Sequence, residues 1–348
     1  MDAELSAREV ALAPPRAFAG PVARGLLRAE PEDFVVEEDL GFAPEGSGQH
    51  LLLKVRKRNA NTQWVARELA RRAGCRVAEV GYAGLKDRRA VAVQWFSVPR
   101  PRVTVRWEEG DDAEFAVLEA HTHNRKLPRG ALAGNHFAVR IRASDGDGAG
   151  LAALLAPRAA EIVRRGVPNY FGPQRFGRDG ANLALPAQDL TALPPPQRGF
   201  LLSAARSVIF NAVLAARVTD GSWEQLLEGD LVNLEGRGSI FAVAETDADL
   251  AARSARLEIH PTGPLWGRGN PATRGRVLEL ELRSSARFGT ESALCSSAGM
   301  RQERRSLRLA VHALRCTAES SAVMLQFRLT RGGFATAVLR ELLANDEE

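Results

Sequence analysis

One short segment, residues 81–89 (GYAGLKDRR), places a single carboxylate, Asp87, beside three cations, Lys86, Arg88 and Arg89. Its two glycines indicate a loop, and loops held by rigid strands often carry reactive side chains. The neighbouring cations favour the ionised carboxylate, which can act as a nucleophile or as a general base. An aspartate in a solvated turn would show the same pattern, and this segment alone leaves both interpretations open.

A second segment, residues 169–177 (NYFGPQRFG), combines three aromatic rings with two amide side chains and one arginine. Only 6% of the chain is aromatic, so this local density is informative. Aromatic rings stack on unpaired bases, and amides and arginine hydrogen-bond to base edges. Asn169, Phe171 and Arg175 are therefore candidate RNA contacts, although a packed hairpin corner would have a similar composition.

Two further segments show weaker patterns of the same kind. Basic residues at positions 125, 126 and 129 precede Asn135 and Phe137, an order that suits contacts to phosphate and then to a base. Two glycines precede Phe334 and allow the backbone to approach a ligand closely. Taken singly, Phe137 is also typical of the start of a core strand, and Phe334 of a core residue at a helix entry.

The composition narrows the possible functions. The 348 residues carry a net charge of +5, which fits a polyanionic partner such as RNA without requiring one. Three scattered cysteines and six histidines lack the spacing of metal ligands or of a disulfide framework, so we expect no metal and no disulfide. Motifs for dinucleotides, phosphate-binding loops and nucleophilic serines are missing from the sequence, so any catalysis must use side chains without a cofactor.

Lysine is rare and clustered. Of the 47 basic residues only four are lysine, namely Lys54, Lys57, Lys86 and Lys126. A compact ammonium and a planar guanidinium are not interchangeable in their contacts. The clustering therefore indicates that specific ammonium contacts are needed between positions 54 and 126.

The sequence also bears on location. No uninterrupted apolar run approaches the roughly 18 to 20 residues that a membrane-spanning helix needs. The first residues, MDAELSARE, carry early acids and no hydrophobic segment, so they do not resemble a secretory signal. We expect a cytoplasmic, monomeric protein with no membrane contact.

The order of elements predicts an α+β fold. Up to residue 142, alternating apolar and polar residues predict a mixed, mainly antiparallel sheet with one or two helices on it. One such helix has Thr62 as its candidate N-cap, a buried stripe that includes Val65 and Leu69, and Gly74 as its stop. Towards the end of the chain the pattern returns to strand, loop and helix, with Thr336 as a candidate N-cap.

Between these parts lies a block of different character. It contains a helix at 151–166, an apolar helix at 200–217, strands around a glycine turn at 229–243, and a polar region at 284–310 that we predict to be helical. This order fits a sheet domain that carries an insertion. We predict one discontinuous domain, residues 1–155 and 311–348, and an inserted α/β domain, residues 156–310.

Taken together, these segments resemble the TruD family of tRNA pseudouridine synthases. The matching stretches include AGLKDRRAVAVQW, NRKLPRGALAGNHF, VPNYFGPQRFG, LLSAARSVIFN, GRGSIF and GGFATAVLREL. They occur in family order and span roughly residues 25–343. Several separate matches in register are more specific than any one of them.

The resemblance implies a catalytic domain of the pseudouridine-synthase type with an inserted TRUD domain, and isomerisation of uridine 13 of tRNA. It implies that Asp87 is the catalytic carboxylate and that Asn135, Phe137 and Phe334 line the active site. The other expected substrate contacts are Arg28, Lys86, Asn169, Phe171 and Arg175. Rival hypotheses are a non-catalytic RNA-binding protein and a synthase that acts on another RNA.

Overall fold

The computed structural model describes residues 5–107, 114–183 and 193–344. Its contacts divide the chain into two compact units, each discontinuous in sequence. The sheet unit comprises Val22–Ala159, His312–Gly332 and Leu343–Glu348. The helical unit comprises Met1–Pro21, Ala160–Val311 and Gly333–Leu342.

This division differs from the predicted one at both ends of the chain. The internal breaks, after residues 159 and 311, lie close to the predicted breaks after residues 155 and 310. Residues 5–21 and 333–342, which we predicted to belong to the discontinuous sheet domain, pack instead with the inserted block. Phe334 therefore belongs to the helical unit, whereas Asp87 belongs to the sheet unit.

Helices and strands alternate irregularly along the described chain. The α-helices are α1 (Ala7–Leu12), α2 (Thr62–Ala73), α3 (Gly148–Arg165), α4 (Pro195–Thr219), α5 (Ala248–Ala255), α6 (Gly275–Arg287), α7 (Gly289–Ser297) and α8 (Ala335–Leu342). The strands of the sheet unit are β1 (Leu26–Leu27), β2 (Phe34–Asp39), β3 (His50–Arg58), β4 (Gly81–Tyr82), β5 (Val91–Pro99), β6 (Phe115–His123), β7 (Gly134–Arg142), β14 (His312–Ala318) and β15 (Ala322–Thr330). The strands of the helical unit are β8 (Val167–Pro168), β9 (Leu231–Leu234), β10 (Ile240–Ala242), β11 (Ile259–Leu265), β12 (Glu303–Ser306) and β13 (Arg308–Leu309).

The sheet unit is built on one large mixed sheet. Seven strands follow the order β14-β15-β7-β2-β5-β3-β6, while β1 pairs with β7 and β4 pairs with β5. Only β2 and β5 run parallel among the described pairings of this sheet. The α+β class with a mainly antiparallel sheet, predicted from the alternating patterns, is confirmed.

Helix α2 covers part of this sheet because its apolar residues recur at helical spacing. The predicted stripe, which includes Val65 and Leu69, is buried, and Gly74 ends the helix in the left-handed conformation at φ 64°. The predicted cap was wrong by one residue. Asn61 occupies the N-cap position, and Thr62 is the first helical residue, where it is buried.

The helical unit packs around α4, whose middle residues are almost fully buried. By length and composition α4 is apolar enough to cross a membrane from Gln197 to Thr219, but 67% of its most apolar window is buried inside the protein, as in an ordinary core helix. Two predictions in this unit were wrong. The 284–310 region is helical only to Ser297 and then forms β12, and Thr336 lies inside α8, which begins at Ala335.

Candidate active site

Asp87 lies on the loop between β4 and β5, and a buried lysine fixes the backbone of this loop. The ammonium of Lys57 donates hydrogen bonds to the carbonyl oxygens of Asp87, at 2.8 Å, and of Ala60, at 2.7 Å. Lys57 is fully buried on β3. Both acceptors are backbone groups, so the ammonium of Lys57 fixes the backbone of the loop at Asp87.

A second anchor joins the same loop to α2 and β5. The hydroxyl of Thr62 accepts a hydrogen bond from the backbone N–H of Lys86 at 3.1 Å and donates to Gln94 Oε1 at 3.0 Å. Gln94 in turn donates from Nε2 to the carbonyl of Gly84 at 2.6 Å. Thr62 and Gln94 are buried. Because hydrogen bonds to buried groups are costly to break, the loop is held at three points within the four residues from Gly84 to Asp87.

The carboxylate of Asp87 faces a cation. Arg28 donates from Nη2 to Asp87 Oδ2 at 2.7 Å, and the Asp87 side chain remains 39% exposed. The backbone of Arg28 has a positive φ of 55°, which costs a non-glycine residue about 1–2 kcal/mol. Its guanidinium lies 4.2 Å from the ring centroid of Phe34. The guanidinium of Arg28 is thus stacked on the ring of Phe34, and its Nη2 is directed at the Asp87 carboxylate.

Lys86, the residue before Asp87, contacts the buried side chains of Glu38 and Asn135. Its ammonium lies 2.9 Å from Oε1 of Glu38 and donates to Oδ1 of Asn135 at 2.6 Å. The Glu38 side chain is inaccessible to solvent, and that of Lys86 is 10% exposed. Glu38 Oε2 also accepts the backbone N–H of Trp95 at 2.9 Å. The ammonium therefore links the Asp87 loop to β2 and β7.

Phe137, the predicted stacking residue on β7, lies in a row of packed rings. Its ring centroid is 6.1 Å from that of Phe34, edge to face, and 5.2 Å from that of Phe327, nearly parallel. Phe137 is 9% exposed. The row begins at the ring on which Arg28 rests, so Phe137 supports the arginine that contacts Asp87.

The predicted residues of the helical unit form a separate cluster of rings and guanidinium groups. The ring of Phe171 lies 6.2 Å from that of half-buried Phe334. The guanidinium carbons of Arg175 and Arg305 lie 5.2 Å and 4.3 Å from the Phe171 centroid. Arg175 also donates to the Ser203 hydroxyl at 3.0 Å. Cations at these distances are attracted to ring faces and can in turn offer their planes to a base.

Asn169 is occupied by protein contacts. Its amide donates to the carbonyl of Ser306 at 2.9 Å, and its Oδ1 accepts from Arg305 at 2.6 Å. Burial, and secondarily the charge of Arg175, lower the pKa of Arg305 to about 9. The guanidinium nevertheless stays protonated at neutral pH. Asn169 therefore orients a positively charged group toward the ring cluster.

The structure brings the predicted residues together in two groups. Arg28, Lys86, Asp87, Asn135 and Phe137 lie in the sheet unit. The other group lies in the helical unit and consists of Asn169, Phe171, Arg175 and Phe334. Each group is connected internally by the contacts given above.

Three residues of these groups were missed by sequence reasoning. Glu38 lies on the same buried face of β2 as Phe34 and Val36, and Lys57 lies on the same buried face of β3 as Leu53 and Val55. A charged residue on the buried face of a strand was thus a readable signal. The third, Arg305, carries no local signal in the polar stretch that surrounds it.

The buried ammonium of Lys57 should give the protein an unusual pH dependence. Burial lowers its pKa to about 8 from 10.5, against the opposing charge of Asp87. Between these values the unfolded chain binds a proton that the folded chain has released, so stability rises with pH in this window. Relative to Lys57→Met, the wild-type free energy of unfolding should increase by about 2 kcal/mol from pH 7 to pH 9.5.

Urea unfolding at several pH values measures this difference. Global changes with pH affect both proteins alike and cancel in the comparison. Parallel stability curves for wild type and Lys57→Met would show that the amine does not change its protonation in this range.

Comparison with known proteins agrees with this architecture. A crystal structure described as the putative tRNA pseudouridine synthase D (TruD) from Methanosarcina mazei superposes with a TM-score of 0.68 at 21% identity, covering 97% of each chain. A family profile, tRNA pseudouridine synthase D (TruD), matches residues 17–187 and 180–342. Proteins named tRNA pseudouridine synthase D from Nitrosococcus oceani and Methylococcus capsulatus are each 44% identical, over 94% and 96% of this chain and 92% and 95% of theirs.

The structural likeness defines the class of protein, an α+β chain with the TruD fold. The profile match and the two relatives define the family. The chain belongs to the TruD family of tRNA pseudouridine synthases.

Proposed function

We propose that this protein isomerises uridine 13 of tRNA to pseudouridine, with Asp87 as the reacting carboxylate, in the cytoplasm and without a cofactor. The observation that supports this most strongly is the state of Asp87. Its carboxylate is 39% exposed while the loop that carries it is anchored to β3, α2 and β5. An accessible anion on a rigid backbone suits a group that must reach a substrate at a fixed position.

The Arg28 contact is compatible with this role. The pair joins one arginine nitrogen to Oδ2, and within the described part of the chain Oδ1 has no hydrogen-bond partner. An aspartate with a role in the buried core would have both oxygens bonded. Arg28 holds Oδ2 and limits rotation of the carboxylate, and Oδ1 remains available to a substrate.

The proposed reaction exchanges one glycosidic bond for another. The bond from N1 to C1′ breaks, the uracil turns while it is held, and C5 bonds to C1′; the proton on C5 is then lost and N1 gains one. Asp87 can add to C1′ and leave when C5 attacks, or it can remove the C2′ proton and later return it. In both routes an oxygen of the Asp87 carboxylate is the reacting atom.

The neighbouring residues have proposed roles in holding the uridine. The target must leave its stack, which costs a few kcal/mol, and stacking on aromatic rings returns about 1–3 kcal/mol per base. We assign this role to Phe137, whose ring is 9% exposed. Lys86 and Asn135 orient the uracil edge. Phe171, Arg175 and half-buried Phe334 provide further RNA contacts. Asn169, whose amide is bonded within the protein, positions Arg305 beside them.

Mapping of pseudouridine in total RNA tests the proposal. RNA from a strain that lacks the gene should lose the pseudouridine at tRNA position 13, and expression of the wild-type chain should restore it. Expression of Asp87→Asn to the same level should leave the site unmodified. Loss of pseudouridine only from ribosomal or messenger RNA would favour the rival substrate, and an unchanged map would favour a non-catalytic RNA-binding role.

A further inference from the structure

The sheet unit contains a cavity of about 750 Å³ that the proposed reaction does not use. Gln63 and Arg67 of α2 line one side, and Lys126 and Arg129 line the other. Tyr82 on β4 is also part of the lining. The volume falls within the range of about 300–1,000 Å³ that is usual for small-ligand sites.

The basic side of this cavity is held in place by the sheet. The backbone N–H of Leu127 donates to the hydroxyl of Ser97 at 2.8 Å, and the ammonium of Lys126 donates to the carbonyl of Ala78 at 2.6 Å. The N–H of Gly130 donates to the carbonyl of Ala83 at 2.7 Å. A Cβ atom on Gly81 would lie 2.5 Å from the Leu127 carbonyl oxygen, so the segment packs directly on β4.

The charge of the cavity is positive. Within residues 5–107, 114–183 and 193–344, no carboxylate lies at ion-pair distance from Arg67, Lys126 or Arg129. Hydrogen bonds from Arg76, and to a smaller extent the charge of Lys126, lower the pKa of Glu79, whose carboxylate is bonded to Arg76. Arg67, Lys126 and Arg129 together attract an anion to this cavity, and phosphodiesters are the anions that an RNA substrate supplies.

One of these cations also offers a flat surface. The guanidinium carbon of Arg129 lies 3.7 Å from the ring centroid of Tyr82, so the two groups are stacked. Arginine planes supported in this way stack on unpaired RNA bases. The cavity therefore combines a base platform with point charges suited to phosphate.

We propose that this cavity binds one nucleotide of the RNA substrate other than the target uridine, with its base on Arg129 and its phosphate between Arg67 and Lys126. That the bound RNA is a tRNA substrate rests on the proposed function, whereas the cavity and its charges are observed independently of it. Tyr82 precedes Asp87 by five residues, so their Cα atoms are at most about 18 Å apart. That reach places the cavity within a few nucleotides of a uridine bound at Asp87.

Dissociation constants of the tRNA substrate at 50 to 200 mM salt test this site. Arg67→Ala and Arg129→Ala should each weaken binding about fivefold or more, and Arg67→Ala should reduce the slope of log affinity against log salt by about 1. Arg71→Ala is the matched control. It removes the same charge one turn along α2, from a side chain that is 71% exposed, bonded to Glu68 and outside the cavity.

Arg129→Lys separates stacking from charge. It should weaken binding about fivefold or more while leaving the salt slope close to that of wild type. The single-turnover rate at saturating enzyme should stay within about twofold of wild type in every cavity variant. Thermal unfolding of the Arg129 variants verifies that the fold stays intact without the Arg129–Tyr82 contact. Arg67 is exposed and makes no contact of this kind with any described residue, so Arg67→Ala tests the charge alone.

Cavity variants that bind tRNA as tightly as Arg71→Ala, with the same salt slope, would overturn the proposal. That result would leave the role of Asp87 untouched. Conversely, an Asp87→Asn protein with full activity would remove the proposed function, while weakened binding in the cavity variants would still identify an RNA contact.

Discussion

Asp87→Asn should lower the single-turnover rate of pseudouridine formation by at least about 10³-fold, with the tRNA dissociation constant within about threefold of wild type. The substitution keeps the size of the side chain and removes its charge. Asparagine can still accept a hydrogen bond from Arg28, and the loop stays anchored by Lys57 and Thr62. The expected loss is therefore one of chemistry rather than of folding or binding.

Stability should change little in this variant. The Arg28–Asp87 pair is partly exposed, at 19% and 39% for the two side chains, and exposed ion pairs are worth about 0–1 kcal/mol. Asp39 provides a matched control. It pairs with Arg328 at 3.0 Å with comparable exposure, in the same unit. Asp39→Asn should lose a similar interaction and keep its rate within about threefold.

The comparison of Asp87→Asn with Asp39→Asn distinguishes loss of a reacting group from loss of an ordinary ion pair. A similar small decrease in both rates would mean that Asp87 is an ordinary surface aspartate, and the proposed mechanism would fail. A large decrease in both would indicate that loss of a carboxylate anywhere on this sheet disturbs the site. Only a loss confined to Asp87→Asn agrees with a reacting carboxylate.

Local patterns were sufficient to predict much of the sheet unit. Alternation predicted the mainly antiparallel sheet, and helical spacing predicted the buried stripe of α2, because both follow from backbone geometry and from the need to bury apolar groups. Strand β6 was not predicted. The Asp87 loop could also be predicted from the sequence, because glycines and charged residues are typical of an exposed turn. Its anchors were less visible, because Lys57 and Gln94 reach it from other strands.

The errors arose where distant partners decide the structure. Strand β12 has the polar sequence ERRS, with no apolar alternation, and is a strand because it pairs with β11. Thr62 has the right residue type for an N-cap, but its hydroxyl bonds to Lys86 and Gln94 instead. Both cases depend on hydrogen bonds across many residues of sequence, which a local pattern does not record.

Lys86→Met should lower the free energy of unfolding by about 3–5 kcal/mol, the largest stability effect that we expect among the site residues. The ammonium is the partner, at 2.9 Å, of a Glu38 carboxylate that is inaccessible to solvent. Methionine has a similar length and no charge, so the carboxylate would remain buried beside apolar atoms. Urea unfolding at pH 7 measures the loss.

The double variant Glu38→Gln with Lys86→Met tests the cause. Removing the buried charge as well should recover most of the lost stability, because replacement of a whole buried pair is often nearly neutral. The glutamine can still accept the N–H of Trp95 that Glu38 accepts now. If the double variant is as unstable as Lys86→Met alone, the loss comes from packing rather than from an unpaired carboxylate.

Activity in that double variant addresses the position of Lys86 beside the reacting loop. Lys86 also donates to Asn135 at 2.6 Å, one of the residues proposed to orient the uracil. A stable double variant should therefore still isomerise uridine more slowly than wild type, by about 10-fold or more if one oriented hydrogen bond is lost. Recovery of stability without recovery of rate would show that the buried ammonium serves the reaction as well as the fold. Full recovery of both would restrict Lys86 to a structural role.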